Sequence, residues 1–324
     1  MKKGKIKEIK ASKLQAEEFI EEKVRDLKEA VGSGLAINAL SGGVDSSVVT
    51  TLGHRALGDR LKTYFINNGL MRENEPRSVV ALFKKMGIPV ELFDARKEFF
   101  GAVKGVTDPE EKREAITQTF YKEIFGRLVR KSGAKFLLQG TILTDVEETA
   151  AGIKRQHNVF EQLGIDPQKE FGYRILEPLV QIRKDGVRKV GQALGLPESV
   201  FNRIPFPGPA LAARVIGEVT PERIRLVRKA TVITEKELAT SRAFQYMAIL
   251  HEDRVTGIRG GKREFGHQVE IRCWESVDAR IAKPTRLSWE TLEKIAGRIL
   301  EEIPEVVSVT YNIANKPPST IEAV

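Results

Sequence analysis

The 324-residue chain is predicted to be an α/β protein, with a doubly wound parallel sheet followed by a smaller C-terminal α+β domain. Short apolar runs alternate with helical patterns over residues 12–194, which is typical of parallel strands joined by crossover helices. A Gly-rich turn links the first apolar run to the helix that follows it. Beyond residue 205, strands and helices segregate instead of alternating. These patterns together predict two domains of different class.

The first domain begins with a helical lead-in and then alternates strand and helix. Apolar runs bounded by turn residues predict strands at 35–40, 61–66, 90–94 and 136–139. Apolar residues at helical spacing predict helices at 12–31, 48–58, 76–86 and 108–132. The segment 173–178 and a helix over 183–194 complete the domain, and 150–171, which has little periodicity, is predicted to be a lid. Because ligands bind beyond the carboxyl ends of parallel strands, we expect the four segments that follow the strands to share one rim, namely 41–47, 67–72, 94–96 and 139–145.

The boundary between the domains is predicted at a proline-rich segment. Pro205-Phe206-Pro207-Gly208-Pro209 cannot be helical, which divides the chain into domains 1–204 and 205–324. The second domain is predicted to contain helices at 221–238 and 288–302 with strands at 244–250, 254–259, 268–274 and 306–311.

Composition and charge limit the classes of partner. The net charge is +9, but basic residues are scattered among acidic ones and the aromatic residues are not interleaved with arginine, so no nucleic-acid partner is expected. The sequence has neither an apolar stretch long enough to cross a membrane nor a secretory apolar region, and we expect a cytoplasmic protein. The single cysteine, Cys273, fits a reducing compartment and is expected to be a small core residue.

The turn after the first strand has the composition of a phosphate-binding loop. It reads Ser41-Gly42-Gly43-Val44-Asp45-Ser46-Ser47 and leads directly into a helix. Such a turn directs backbone N–H groups at one point, where the helix N-terminus favours negative charge and serine hydroxyls add donors. A Walker A loop is excluded, because no lysine lies between Lys28 and Lys62.

This loop resembles the pyrophosphate loop of the N-type ATP pyrophosphatases, which have an adenine nucleotide α-hydrolase-like fold and cleave ATP between its α- and β-phosphates. Over almost its full length the chain is similar to the ATP-pyrophosphatase part of GMP synthetase. The matching stretches are Ser41–Ser47, Asn67–Arg72, Gly105–Arg113, Gln139–Thr141, Ile153–Lys154, His157–Val159, Glu177–Leu179, Lys184–Asp185, Val187–Arg188, Pro205–Pro209, Arg214–Glu222, Lys316–Pro318 and Thr320–Glu322. The resemblance implies adenylation of XMP at O2 with release of pyrophosphate, followed by amination to GMP.

The resemblance also implies roles for individual residues. ATP would be bound by residues of three segments, namely Ser41, Gly42, Gly43, Val44, Asp45, Ser46, Ser47, Asn68, Gly69, Gln139, Gly140 and Thr141. Asp45 and Asp145 would bind Mg²⁺, and the catalytic set would be Asp45, Ser46, Lys154 and Lys184. The acceptor nucleotide would be bound by His157, Arg203, Pro207, Gly208, Arg263, Lys316, Thr320, Ile321 and Glu322. The alternatives are a helix-capping role for Asp45, solvated surface charges for both lysines and a structural role for His157.

Departures from the family pattern gather where the second substrate would bind. Ala210 and Ala279 replace family glycines, Gly261 replaces an aspartate, and the tail ends at Ala323-Val324 instead of an aromatic residue and a glutamate. An alanine is tolerable at position 210 if φ is negative and strongly unfavourable if φ is positive. The departures leave two further hypotheses, a paralogue that adenylates another acceptor before adding nitrogen or sulfur, and a non-catalytic nucleotide-binding homologue.

Partners follow from the same resemblance. The second domain would pair two copies into a homodimer. Because the chain has no glutaminase domain, a separate glutaminase subunit would have to supply ammonia if glutamine is the donor.

Overall fold

The computed structural model describes residues 6–150, 173–201, 204, 206–277 and 279–323. The chain forms two compact units, which are described separately. The first unit comprises Met1–Asn67, Pro76–Asp94 and Phe120–Arg203. The second comprises Asn68–Glu75, Ala95–Thr119 and Ile204–Val324, so two segments from the N-terminal half of the sequence belong to it. The predicted lid lies outside the described residues from 151 onward.

A parallel sheet forms the centre of the first unit, as predicted, and it has five strands where the sequence predicts four. The strands are β1 Ala36–Ala39, β2 Leu61–Asn67, β3 Glu91–Asp94, β4 Phe136–Leu138 and β5 Arg174–Leu176. Their order is β3-β2-β1-β4-β5, and every neighbouring pair is parallel. The chain adds β2 and β3 on one side of β1 and then β4 and β5 on the other. The carboxyl ends of β1 and β4 therefore border the topological switch point, where open α/β sheets bind ligands.

Helices follow the strands in the alternating order that the sequence predicts. Those of the N-terminal half are α1 Ala16–Val31, α2 Val44–Leu57, α3 Glu75–Lys85, α4 Arg96–Ala102, α5 Pro109–Gln118, α6 Gly126–Ser132, α7 Leu143–Ala150, α8 Lys184–Ala193 and α9 Glu198–Phe201. Helix α1 buries Phe19, Ile20, Leu27 and Val31 on one face, and α1, α2 and α8 pack against one another. No helix in the described part of the chain has the length and apolar character needed to cross a membrane.

The prediction of one α-helix over 108–132 is wrong in its middle. Asp108 caps α5 by accepting hydrogen bonds from the Glu110 and Glu111 N–H groups at 2.9 and 3.0 Å, as expected for an Asp-Pro start. The chain then widens into a π-helical segment, Thr119–Phe125, before α6 resumes α-helical geometry. The segment contains three aromatic residues, and their packing sets its geometry in a way that apolar spacing alone does not predict. The Phe120 ring lies 4.9 Å from the Tyr121 ring and 6.1 Å from the Phe125 ring.

The second unit contains a four-stranded mixed sheet with two long helices, which confirms the α+β expectation. Its elements are α10 Pro221–Glu237, β6 Gln245–Arg259, β7 Lys262–Ser276, β8 Ala282–Pro284, α11 Trp289–Glu302 and β9 Val306–Tyr311. Strands β6 and β8 pair antiparallel to β7, whereas β9 is parallel to it.

The strands of this unit are longer than predicted. The two strands expected at 244–250 and 254–259 are one strand, β6, with a shift of register between Leu250 and Arg254. The strand expected at 268–274 is the second half of β7, and β8 was not predicted. Gly260 and Gly261, with φ of +56° and +77°, form a two-residue turn that keeps β6 and β7 paired to their ends. The first part of β7 begins with the exposed charged residues Lys262 and Arg263, which is why residues 262–267 do not read as strand.

The core of the second unit encloses part of the C-terminal tail. Ile321 packs in a buried cluster with Met247, Ile249, Trp274 and Ala282. Cys273 is buried in β7, which confirms that it is a core residue, and burial raises the pKa of its thiol. The tail is thus an integral part of this domain.

Two alanines have left-handed backbone conformations. Ala210 has φ of +55° and Ala279 has φ of +64°. For Ala210 this is the unfavourable case, because the β-carbon clashes with the backbone in this region at a cost of about 1–2 kcal/mol. Flanking hydrogen bonds hold the conformation, from Ala210 N–H to the Pro207 carbonyl and from Leu211 N–H to the Leu70 carbonyl, both at 2.9 Å.

We expect Ala210→Gly to be more stable than Ala213→Gly. Both residues are about 1% exposed in the same 3₁₀ turn, so each change removes a buried methyl group, but only Ala210 has a positive φ. Relief of strain should separate their free energies of unfolding by about 1–2 kcal/mol. Urea denaturation of the two variants beside the parent protein measures this difference. Equal stabilities would show that Ala210 is not strained.

Candidate functional site

The predicted phosphate loop connects β1 to α2 in the first unit. Gly42 has φ of +79°, which favours glycine, and α2 begins at Val44. The Ser46 hydroxyl lies 2.9 Å from the Ser41 hydroxyl and donates to the Gly43 carbonyl at 3.0 Å. The Ser46 hydroxyl also accepts a hydrogen bond from the Ser41 N–H at 3.2 Å. The two serine hydroxyls therefore brace the loop from within. These hydrogen bonds fix the conformation of the turn at the N-terminus of α2.

Asp45 carries an ion pair at this turn instead of capping the helix. Its Oδ2 lies 2.6 Å from the Lys184 ammonium, which belongs to the first residue of α8. The N-cap of α2 is Gly43, and no side chain caps it, so the helix-cap interpretation does not hold. The other carboxylate oxygen, Oδ1, is buried and has no hydrogen-bond partner among the described residues. The sequence placed both residues in the catalytic set, and the structure brings them together.

The loop after β4 lies directly against the phosphate loop. A β-carbon built on Gly140 would lie 3.2 Å from the Asp45 carbonyl carbon and 3.3 Å from the Ser46 nitrogen. Glycine allows the two backbones to approach this closely without displacement of the phosphate loop. The neighbouring Gln139 N–H donates to the Leu176 carbonyl at 2.9 Å, and Thr141 is buried. The predicted grouping of 41–47 with 139–141 at one rim is therefore observed.

Two predicted site residues of this unit have interior positions. Asp145 is 6% exposed, and its Oδ2 accepts a hydrogen bond from the Ile142 N–H at 3.0 Å, which ties the first turn of α7 together. Ser47 is fully buried below the loop, and its N–H donates to the Gly43 carbonyl. Its hydroxyl therefore lies in the interior and not on the ligand-facing side of the loop.

A buried hydrogen-bond chain supports the loop, and the sequence analysis missed it. Thr63 in β2 donates to the Asn38 side-chain oxygen at 2.7 Å, and the Asn38 amide nitrogen donates to the Thr50 hydroxyl at 2.6 Å. Thr50 in turn donates to the Ser46 carbonyl at 2.8 Å. This series of hydrogen bonds thus joins two strands, a helix and the phosphate loop. Asn38 in an otherwise apolar strand was the available signal, because a buried amide requires partners.

The second unit contains the other two predicted ATP residues. The Asn68 side-chain oxygen accepts a hydrogen bond from the Leu70 N–H at 2.9 Å. Gly69 has φ of +76°, and its carbonyl accepts a hydrogen bond from Arg228.

The predicted acceptor residues of the C-terminal tail lie in the second unit. The Glu322 carboxylate faces Arg214, which is fully buried, at 3.4–3.5 Å and accepts a hydrogen bond from the Gln245 amide at 2.7 Å; neither Arg214 nor Gln245 was among the predicted site residues. The Lys316 ammonium donates to the Ala279 carbonyl at 2.8 Å. Thr320 and Ile321 continue the same tail, but Ile321 turns its side chain into the core.

The proline-rich segment is joined to this tail through Phe206. The Arg214 guanidinium lies 4.8 Å from the centre of the Phe206 ring, and the Arg72 guanidinium lies 3.8 Å from it. Pro207 follows, and its carbonyl closes the turn at Gly208 by accepting the Ala210 N–H. Arg214 therefore contacts both the segment that carries Pro207 and Gly208 and the tail that carries Glu322.

One predicted acceptor residue, Arg263, is not brought to these groups, and three further predicted residues cannot be compared with them. Arg263 lies near the turn of the β6–β7 hairpin, nine residues before Arg272, which contacts the tail. That spacing corresponds to about 30 Å along a strand. The remaining three, Lys154, His157 and Arg203, lie outside the described residues.

The chemistry of the first-unit site suits a polyphosphate. A helix N-terminus, a lysine ammonium and a carboxylate with one unsatisfied oxygen converge at the switch point of a parallel sheet. The described residues contain no group of three or more metal-ligating side chains. Mg²⁺ fits the site nonetheless, because it binds through one or two carboxylates together with substrate phosphates and water. The buried, unpartnered Oδ1 of Asp45 has the character of such a ligand.

Comparisons with known proteins agree with this geometry. The family model described as NAD synthase matches residues 14–120, and that described as GMP synthase C terminal domain matches 232–323. A protein of Pyrococcus furiosus, named as the B subunit of a glutamine-hydrolyzing GMP synthase, is 48% identical over 94% of this chain and 97% of its own length.

Relatives with the same name occur in other archaea. The Archaeoglobus fulgidus protein is 46% identical over 95% of this chain and 99% of its own length. The Methanothermobacter thermautotrophicus protein is 44% identical over 95% of this chain and 99% of its own length. By near full-length similarity at this level, the chain belongs to the family of GMP synthase B subunits.

Proposed function

We propose that the protein is the ATP-pyrophosphatase subunit of a two-subunit GMP synthase. It adenylates XMP at O2 with release of pyrophosphate, and ammonia then displaces AMP to give GMP. The observation that carries this proposal is the braced loop at the switch point, with Asp45 and Lys184 paired beside it at 2.6 Å. The similarity to a GMP synthase component over 94% of the chain favours XMP over another acceptor and argues against a non-catalytic homologue.

The residues of the phosphate loop would act on the leaving group. N–H groups at the N-terminus of α2 and the Lys184 ammonium would stabilise the negative charge that develops on pyrophosphate as the α–β bond breaks. Asp45, with Asp145 as the second candidate ligand, would hold Mg²⁺, which supplies further charge neutralisation when bound. Ser46 and Ser41 would keep the loop in shape. Gly140 would allow the β4 loop to close the same site.

The acceptor would be bound by the second unit, where Glu322, Thr320 and Lys316 lie in the tail near Arg214. Adenylation gives XMP O2 a good leaving group, which is the chemical reason for using ATP. The word subunit in the relatives' names supports a separate glutamine-hydrolysing subunit that supplies ammonia. We further propose a homodimer formed through the C-terminal domain and a cytoplasmic location.

The proposal is tested by measuring pyrophosphate, AMP and GMP from Mg²⁺-ATP and ammonium, with and without XMP. We expect equal amounts of the three products in the presence of XMP and no pyrophosphate in its absence, because adenylation requires the acceptor oxygen. Separation of the nucleotides by chromatography identifies the products. ATP binding without XMP-dependent turnover would reject XMP as the acceptor.

Asp45→Ala should lower pyrophosphate release at least about 100-fold, because it removes a metal ligand and the partner of Lys184. The melting temperature should stay close to that of the parent protein, since the Asp45 side chain is partly exposed at the loop. The control is Asp59→Ala, an exposed acid just after the same helix, which should retain full activity. Full activity of Asp45→Ala would refute the site assignment.

Gly140→Ala tests the contact between the two loops. The new methyl group would press on the backbone of Asp45 and Ser46 at 3.2–3.3 Å, so the phosphate loop must shift. We expect KM for ATP to rise about tenfold, as small displacements in a positioned site weaken binding and turnover. Gly101→Ala, where a β-carbon meets no atom within 4 Å, is the matched control. An unchanged KM for ATP would show that the contact does not position the nucleotide.

A further inference from the structure

A partly buried polar chain on the second-unit sheet ends at the C-terminal tail. Arg272 in β7 donates from Nε to Oε1 of Glu270 at 2.6 Å. Its Nη1 donates to the Thr320 carbonyl at 2.9 Å and lies 3.4 Å from the Ile321 carbonyl. The second oxygen of Glu270 is 2.8 Å from His251 Nε2. The Arg272 guanidinium therefore connects two consecutive tail carbonyls to an anchored carboxylate.

The anchor is well suited to fix the arginine. The side chains of Glu270 and Arg272 are both 12% exposed. Burial acts to raise the pKa of Glu270, but hydrogen bonds from His251 and Arg272 outweigh it and lower the pKa below its ordinary value. Glu270 is thus held as a carboxylate with both oxygens occupied. A planar guanidinium fixed at Nε by this carboxylate presents Nη1 to the tail carbonyls.

The contact between Arg272 and the tail matters because Glu322 immediately follows Thr320 and Ile321 in the sequence. Fixing the Thr320 and Ile321 carbonyls orients the two peptide groups that lead into Glu322. The Glu322 carboxylate then meets Gln245 and Arg214. Arg272 therefore contacts the backbone that leads directly into a predicted acceptor-binding residue.

We propose that Arg272 is a positioning residue for the acceptor nucleotide, holding the tail segment Thr320–Glu322 in its binding conformation from the anchor at Glu270. This inference rests on the proposed function, because it takes the tail as part of the acceptor site. It adds a residue that the family resemblance does not single out in the sequence. Arg272 acts on KM for the acceptor and leaves ATP binding untouched.

The test compares Arg272→Gln and Arg272→Lys with Arg259→Gln. Arg259 is the matched control, because it lies in the same hairpin and makes contacts of the same kind away from the tail. Its Nε donates to the Glu264 carboxylate at 3.0 Å, and its Nη2 donates to the Val306 carbonyl at 3.2 Å. For each variant, KM for XMP and for ATP are measured with ammonium as nitrogen donor. Hydrogen exchange is followed at the Lys316 and Ser319 amides, which donate to the Ala282 and Asn315 carbonyls.

We expect Arg272→Gln to raise KM for XMP about tenfold or more, the usual effect of losing hydrogen bonds from a charged group, with KM for ATP within about twofold. Exchange of the two tail amides should accelerate in the same variant. Arg272→Lys keeps the charge but cannot reach Glu270 and both carbonyls, so it should lie between parent and Arg272→Gln. Arg259→Gln should match the parent in every measurement.

Two outcomes would overturn the inference. Unchanged tail exchange in Arg272→Gln would show that the arginine does not hold the tail, and faster exchange with unchanged KM for XMP would show a structural role only. If Arg272→Gln does not fold, Arg272→Lys carries the same comparison. Parent protein that turns over no XMP would signal failure of the proposed function, and an active parent with insensitive Arg272 variants signals failure of this inference.

Discussion

The hydrogen-bond chain from Thr63 through Asn38 and Thr50 to the Ser46 carbonyl is the interaction on which the proposed nucleotide site depends. A Gly-rich turn is flexible by itself, because glycine loses more conformational freedom on folding than other residues. These hydrogen bonds connect the turn to strands β1 and β2 through buried groups that are each other's donors and acceptors. An unpaired amide in this interior would cost about 1–3 kcal/mol, so the network holds one arrangement of the loop. The loop is therefore preorganised before any ligand binds.

The sheet order extends this constraint to the other side of the site. Because β1 and β4 are neighbours and both parallel, their carboxyl ends meet, and the loop after β4 must pass beside the phosphate loop. Gly140 makes that passage possible at backbone distance. Lys184 reaches Asp45 from the first residue of α8, which packs on α2. Site geometry in the first unit thus follows from strand order, one glycine and one helix contact.

Sequence patterns predicted the parts of the molecule that are locally encoded. Short apolar runs located four of the parallel strands, and the Ser41–Ser47 composition located the phosphate loop. The same reasoning failed at the π-helical segment around Phe120, because apolar spacing does not distinguish one helix type from another, and in the first part of β7, where exposed charged residues do not read as strand. It also missed Arg272, because a contact between residue 272 and carbonyls at 320 and 321 has no local period. Ser47 was wrongly expected to face the ligand, because its place in the motif does not reveal that its side chain is buried.

The two left-handed alanines bear on which acceptor the protein uses. Both stand where the family resemblance expects glycine, and both keep the backbone conformation for which glycine is normally required. Each also adjoins the tail, since the Ala279 carbonyl accepts the Lys316 ammonium and the turn begun by Ala210 ends at Arg214, which faces Glu322. A chain under no demand for this geometry would relax a strained residue by changing its φ. Strain that persists at two such positions indicates that the surroundings enforce the backbone path. The two alanines therefore change side chains while the backbone framework of the proposed acceptor site is retained, which favours the same class of acceptor.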